Sequence, residues 1–305
     1  MKWVAKAALQ RAIGFLPGAE RINYQFQRHV TRQLPRSDQQ FRLHATQTIH
    51  HFNALRSHAQ GLAPAEAQLY EFGAGWDLIT PVVFYGFGIN HQTLVDLEAH
   101  LRLADVNHTL SQYRRLRGDL EEFAGVSLRE IPCEPLSDPA QLRERFGISY
   151  LAPCDARDTA LPADSFDFVS NTFTLEHIPR PDIVAILVEC RRLLKPGGLI
   201  SCSVDMQDHY SFFDKRISVY NFLKFSDRTW RLVNSPLHFQ NRLRARDYRT
   251  LLAEAGFEPV AETLDVPGRE RLRQLASQRL SPRFQCGYSA DDLAPSWIRI
   301  IGRSS

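Results

Sequence analysis

The stretch Leu69-Tyr70-Glu71-Phe72-Gly73-Ala74-Gly75-Trp76-Asp77 decides how the rest of the chain is read. An apolar strand runs into a turn with two glycines, and a helical pattern follows. Glycine tolerates left-handed backbone angles and lets main chain approach a ligand closely. A helix start just beyond offers unpaired N–H groups. Taken alone, the pattern fits an ordinary turn as well as a nucleotide or nucleoside site. On both sides, short apolar runs alternate with helical stretches, which signals βαβ units and a parallel sheet. Candidate strands fall at Gln68–Phe72, Gln92–Leu97, Ile148–Ala152, Phe166–Asn171, Leu199–Asp205, Phe257–Leu264 and Trp297–Ile301. Ile183, Ile186, Leu187, Cys190 and Leu194 recur at helical spacing and place a helix over Asp182–Leu194, with Pro181 at its start and Pro196-Gly197-Gly198 at its end. A further helix over Asp247–Ala255 stops at Gly256.

Bulk properties agree with an ordinary globular protein. Of the 305 residues, 44% are hydrophobic and 23% charged, far from a disordered composition. The net charge of +3 is small for this length, and no basic stripe or appended RNA-binding module is visible, so a nucleic-acid partner is disfavoured. The five cysteines, Cys133, Cys154, Cys190, Cys202 and Cys286, are widely spaced without a C-x-x-C pair, which predicts reduced thiols. No apolar run is long enough for a transmembrane helix. Lys6, Gln10 and Arg11 interrupt what would be the apolar centre of a signal peptide, so the expected setting is cytoplasmic. Residues 1–16 fit either a helix packed on the main domain or a weak peripheral membrane contact. His44, His50, His51 and His58 cluster in sequence without an acidic or thiol partner at ligand spacing, and no metal is expected. The oligomeric state is not legible.

Asp96 ends the second candidate strand, 23 residues past Gly73, where an acid can accept both hydroxyls of a ribose. A helix N-cap is its other reading. A dinucleotide is disfavoured: the fingerprint G-x-G-x-x-G calls for a third glycine where the chain has Leu78, and Asp77 would sit poorly beside a pyrophosphate.

Downstream come Cys154-Asp155-Ala156, then Leu161 to Val169, Leu175-Glu176-His177-Ile178, and Arg192-Leu193-Leu194-Lys195-Pro196-Gly197-Gly198. In this order, after Glu71-x-Gly73-x-Gly75 and Asp96, they resemble class I S-adenosylmethionine-dependent methyltransferases with the type 11 methyltransferase domain. The resemblance covers roughly residues 66–206 and resumes around Ala255-Gly256-Phe257. It implies a doubly wound, Rossmann-like α/β fold with a mostly parallel seven-stranded sheet. Around it we expect a helical extension (1–60), a cofactor-binding core (61–206), a helical lid after the fifth strand (207–245) and a C-terminal completion of the sheet (246–305).

The resemblance also implies roles. Glu71, Gly73 and Gly75 would hold the methionine end of S-adenosylmethionine, and Asp96 its ribose. Asp155 and Ala156 would contact the adenine. Asn171 would lie under the methionine part, with Leu175 and His177 lining the site, and the Lys195–Gly198 turn would be structural. The departure is Asp77, which stands where a third glycine is common. His177 is a candidate catalytic residue or a buried structural histidine. His209, next to Asp208, is a candidate base for an acceptor that must lose a proton. Tyr210, Tyr220, Trp230, Arg242 and Arg244 form a mixed aromatic and basic set that suits substrate selection by a lid, or else packing at the domain edge. The expected activity is methyl transfer to a small-molecule or glycan hydroxyl. An RNA or protein methyltransferase and a catalytically degenerate scaffold are the alternatives.

Overall fold

A computed structural model describes residues 3–13, 24, 34–59 and 61–304. Its frame is one seven-stranded sheet of β1 (Gln68–Phe72), β2 (His91–Val95), β3 (Ile148–Leu151), β4 (Phe166–Thr172), β5 (Leu194–Asp205), β6 (Phe257–Leu264) and β7 (Trp297–Ser304). The spatial order is β3-β2-β1-β4-β5-β7-β6. Strands β1 to β5 pair in parallel, and β7 runs antiparallel between β5 and β6.

The sheet is covered on both faces, as parallel strands require. Alternate residues of one strand enter different cores: Phe168 and Leu199 face one cluster, Val169 and Ile200 the other. The first core is closed by helices Asp38–His58, Ile79–Gly86 and Leu103–Ala124 through Phe41, Ile49, Val82 and Leu110. The second is closed by Arg180–Leu193 and Ala245–Glu254 through Ile183, Leu187, Tyr248 and Leu251. Asp38–His58 is thus a layer of the α/β sandwich rather than an appendage. Ser37 caps it by accepting from the Gln40 N–H at 3.3 Å, while Gln40 accepts from the Ser37 N–H at 2.9 Å.

Two local expectations change. Lys195–Gly198 is not a turn outside the strand. β5 already begins at Leu194, and its pairing with β4 jumps from Phe166↔Leu194 to Phe168↔Leu199, so these residues are an irregularity inside it. The lid is less helical than expected. It holds one α-helix, Asp227–Val233, and short 3-10 turns at His209–Phe212, Asn221–Lys224 and Pro236–His238. A third apolar cluster holds it down, with Tyr220, Phe222 and Trp230 packed on Leu275, Phe284 and Leu293.

Helix Trp3–Ile13 sits on this lid: the Trp3 ring lies 5.6 Å from those of Tyr210 and Phe225, and Lys6 is buried over Phe213. Residues 1, 2 and 14–16 of the expected membrane-contact segment lie outside the described residues. Among the described residues no helix is long and apolar enough to cross a membrane.

Candidate functional site

Strand order reverses between β1 and β4, so the segments leaving these strands diverge and open a crevice at their carboxyl ends. Two cavities fill it. One of about 490 Å³ is walled by Glu71, Trp76, Asp77, Asp205 and His209. The other, about 280 Å³, is walled mainly by apolar groups such as Val95, Leu97, Ala156, Ile178 and Ile186. They meet at Gly73, Asp96, Thr174 and His177, which line both.

The turn after β1 requires its glycines. Gly73 and Gly75 have φ of +74° and +71°, which side chains other than glycine rarely adopt. A Cβ on Gly73 would lie 2.3 Å from Thr174 Cγ2, whereas one on Gly75 would meet nothing within 4 Å. Asp96 follows β2 directly, and its Oδ2 accepts from the Gly75 N–H at 2.9 Å, so the acid that borders both cavities also fixes the turn. Asp77 is not an anomaly in this setting. Arg36 donates to it from Nε at 2.6 Å, tying the turn to the segment that precedes helix Asp38–His58.

Glu71 ends up buried beneath the turn, where Ser170 Oγ donates to it at 3.0 Å. Burial pushes its carboxyl up to about 8. No cationic side chain forms an ion pair with it among the described residues. Asp155 and Ala156 line the smaller cavity, but the Asp155 carboxylate is held by Arg157, whose Nη2 donates to it at 2.6 Å. That guanidinium keeps the Asp155 carboxyl below its usual range.

Asn171 requires a correction. It is fully buried in β4, donates from Nδ2 to the Phe72 carbonyl at 3.0 Å and walls neither cavity. Its place is between two strands, holding the end of β1, instead of against a ligand.

His177 sits on the 3-10 turn Leu175–His177, which Asn241 of the lid anchors through the Leu175 and Ile178 carbonyls. Its Nδ1 donates to the Phe239 carbonyl at 2.8 Å, since a carbonyl only accepts, and Nε2 keeps its lone pair. Burial holds this imidazole down at about 4, so it is neutral near pH 7. His209 is buried on the same cavity wall, with its ring centroid 5.0 Å from that of His177. The sequence points to Asp208 as its carboxylate neighbour, but Asp208 turns inward and accepts from the Tyr210 N–H and from Asn221 Nδ2. The carboxylate facing His209 is Asp205, at 3.5 Å from Nε2. Asp205, Glu176 and His238 also line the cavity, and sequence reasoning missed all three. The four-residue separation of Asp205 from His209 at a strand end was the available signal.

The expected substrate residues do not reach the crevice. Tyr210 donates to the Val233 carbonyl at 3.1 Å, Tyr220 to that of Ala294 at 2.6 Å, and Trp230 to that of Gln240 at 3.0 Å. Arg242 holds the Phe222 and Phe225 carbonyls and Asp227. Arg244, fully buried, holds the carbonyls of Met206, Leu293 and Pro295. A buried guanidinium must find such partners. All five residues are posts inside the lid, and none of them lines either cavity.

Residues 86–202 match the family described as "Methyltransferase domain". The ubiquinone biosynthesis O-methyltransferase of Cereibacter sphaeroides is 44% identical over 57 residues, which cover 19% of this chain and 22% of that protein. The enzyme of the same name from Dinoroseobacter shibae is 32% identical over 100 residues, covering 32% and 36%. The demethylmenaquinone methyltransferase of Halalkalibacterium halodurans is 29% identical over 132 residues, covering 43% and 46%. The chain thus spans less than half the length of the curated relatives it matches. The solved geranyl diphosphate C-methyltransferase from Streptomyces coelicolor A3(2) is similar at 15% identity and a TM-score of 0.47, covering 87% of this chain and 78% of that one. Residues 86–202 are thus similar to a methyltransferase domain, and they lie on a doubly wound, mostly parallel seven-stranded sheet.

Proposed function

We propose that the protein is an S-adenosylmethionine-dependent methyltransferase that methylates a hydroxyl oxygen of a small molecule. The observation that carries this reading is the pair of cavities meeting at Gly73, Asp96, Thr174 and His177. One is mainly apolar, and the other is lined by five acidic residues and four histidines.

The residues present fit the cofactor. Open space beside Gly75 admits a ligand against the turn. The buried, cation-free carboxyl of Glu71 suits the ammonium of a methionine, and Asp96 borders the place where a ribose would lie. Asp155 reaches an adenine amino group only by sharing itself with Arg157. When bound, S-adenosylmethionine supplies an electrophilic methyl on a sulfonium. The chain's part is to hold the acceptor in line, exclude water and take its proton. His209, with Asp205 behind it, is placed to accept that proton. The hydroxyl acceptor is supported by this proton-accepting pair and by the names of the ubiquinone O-methyltransferases. The five free cysteines support a cytoplasmic setting.

The test is transfer of a labelled methyl group from S-adenosylmethionine to a panel of phenols, glycans, amines, RNA and protein. Label on a small-molecule hydroxyl that is lost in His209→Asn is the expected result. Label confined to nitrogen, carbon or a macromolecule would overturn the acceptor assignment.

A further inference from the structure

At the floor of the larger cavity the rings of His177, His209 and His238 form a triangle, with centroids 5.0, 5.5 and 5.7 Å apart. Two carboxylates, Glu176 and Asp205, join them. The Asp205 N–H donates to Glu176 Oε1 at 3.3 Å, and no lysine or arginine pairs with either acid among the described residues. One ligand atom each of Glu176, His177 and His209 lies within 4.8 Å of the others. Glu176 is 2% exposed and His209 7%, yet Glu176 Oε2 and His209 Nε2 have no hydrogen-bond partner. Leaving buried polar atoms unpaired is costly, and a single ion beside these two atoms would satisfy both. His177 shows the second feature of a ligating imidazole: its Nδ1–H is fixed on a backbone carbonyl, which aims the other nitrogen's lone pair.

We propose that Glu176, His177 and His209 form a binding site for one first-row divalent cation of the Zn²⁺ type. Two imidazoles and a carboxylate suit such ions better than Mg²⁺ or Ca²⁺. Three protein ligands leave a coordination position open towards the cavity, as in catalytic zinc sites. Ligand atoms around a tetrahedral ion stand about 3.3 Å apart, so the cluster contracts on loading. Coordination of an acceptor oxygen at the open position rests on the methyltransferase reading, but binding of the ion does not. With the ion on His209, Asp205, 3.5 Å from it, is left to take the acceptor proton. The ligands lie 32 residues apart across β5, which is why the sequence, with its histidines bunched elsewhere, predicts no metal.

The test is calorimetric titration of Zn²⁺ into the chelator-stripped full-length protein, with Co²⁺ as a spectroscopic probe. S-adenosylhomocysteine binding is measured on the same samples. We expect one Zn²⁺ per chain and a Co²⁺ spectrum of a nitrogen- and oxygen-ligated site. Affinity should fall at least about tenfold in His177→Ala, His209→Ala and the near-isosteric Glu176→Gln, and stay unchanged in His91→Gln, which alters an exposed histidine. Absence of stoichiometric binding in the native chain, or affinity that the three variants leave unchanged, overturns the proposal. S-adenosylhomocysteine bound without Zn²⁺ sinks the metal site alone. Zn²⁺ bound without S-adenosylhomocysteine sinks the methyltransferase reading alone.

Discussion

Glu71→Gln separates the folding role of this residue from its ligand role. The carboxyl is buried and raised from 4.5 to about 8, with desolvation as the main cause and the Ser170 hydroxyl opposing it. A carboxyl raised in the folded state favours folding fully below the unfolded value, and that advantage is lost as pH rises through the folded value. The native chain should therefore lose stability relative to Glu71→Gln between about pH 4.5 and about pH 8, and run parallel to it above. At about 1.36 kcal/mol per pH unit the ceiling is roughly 5 kcal/mol. The carboxyl lines a cleft that water enters, so the expected gain for the variant at pH 8 is nearer 2–3 kcal/mol, on the order of half the ceiling. Glutamine keeps the shape and an acceptor for Ser170 Oγ. Urea unfolding of both proteins from about pH 5 to about pH 9 reads the difference directly. Curves that stay parallel through the window, or a native chain that gains on the variant as pH rises, would refute the reasoning. A cationic ligand on Glu71 would also release a proton on binding below about pH 8, seen as a buffer-dependent enthalpy that Glu71→Gln abolishes.

Two further outcomes follow from named contacts. Gly73→Ala places a Cβ 2.3 Å from Thr174 in a left-handed conformation that costs roughly 1–2 kcal/mol, so S-adenosylhomocysteine affinity should fall tenfold or more. Gly61→Ala, with a similar φ but open space and a place outside both cavities, should leave binding unchanged in the same titration. Arg244→Ala orphans three buried carbonyls and should destabilise the fold by about 3 kcal/mol or more in urea unfolding. A substrate-binding arginine would instead raise KM and leave stability alone.

Much of the frame was legible. Strands β1 and β6 have the bounds the sequence predicts, with Gly73 ending β1 and Gly256 preceding β6, and Gly73 and Gly75 take the positive φ their place after a strand implies. Asp96 stands just past the end of β2 beside the glycine turn, the position its spacing predicts. What failed depended on which way a side chain faces. Tyr220, Trp230 and Arg244 have the composition of a substrate lid, yet the same residues serve equally as posts when each polar tip finds a carbonyl. Asp208 drew attention as the neighbour of His209, but a local bond to the Tyr210 N–H turns it inward, and Asp205 takes the position instead. Pro196-Gly197-Gly198 read as a stop, whereas pairing of Leu194 with Phe166 carries the strand across it.

The central claim is that this crevice binds S-adenosylmethionine with Asp96 on its ribose. The most direct measurement is calorimetric titration of the full chain with S-adenosylmethionine and S-adenosylhomocysteine, repeated on Asp96→Ala. The account predicts micromolar binding of both ligands and at least tenfold weaker binding to the variant, about 1.4 kcal/mol. Binding of neither ligand to the native chain, or equal binding to Asp96→Ala, would contradict it.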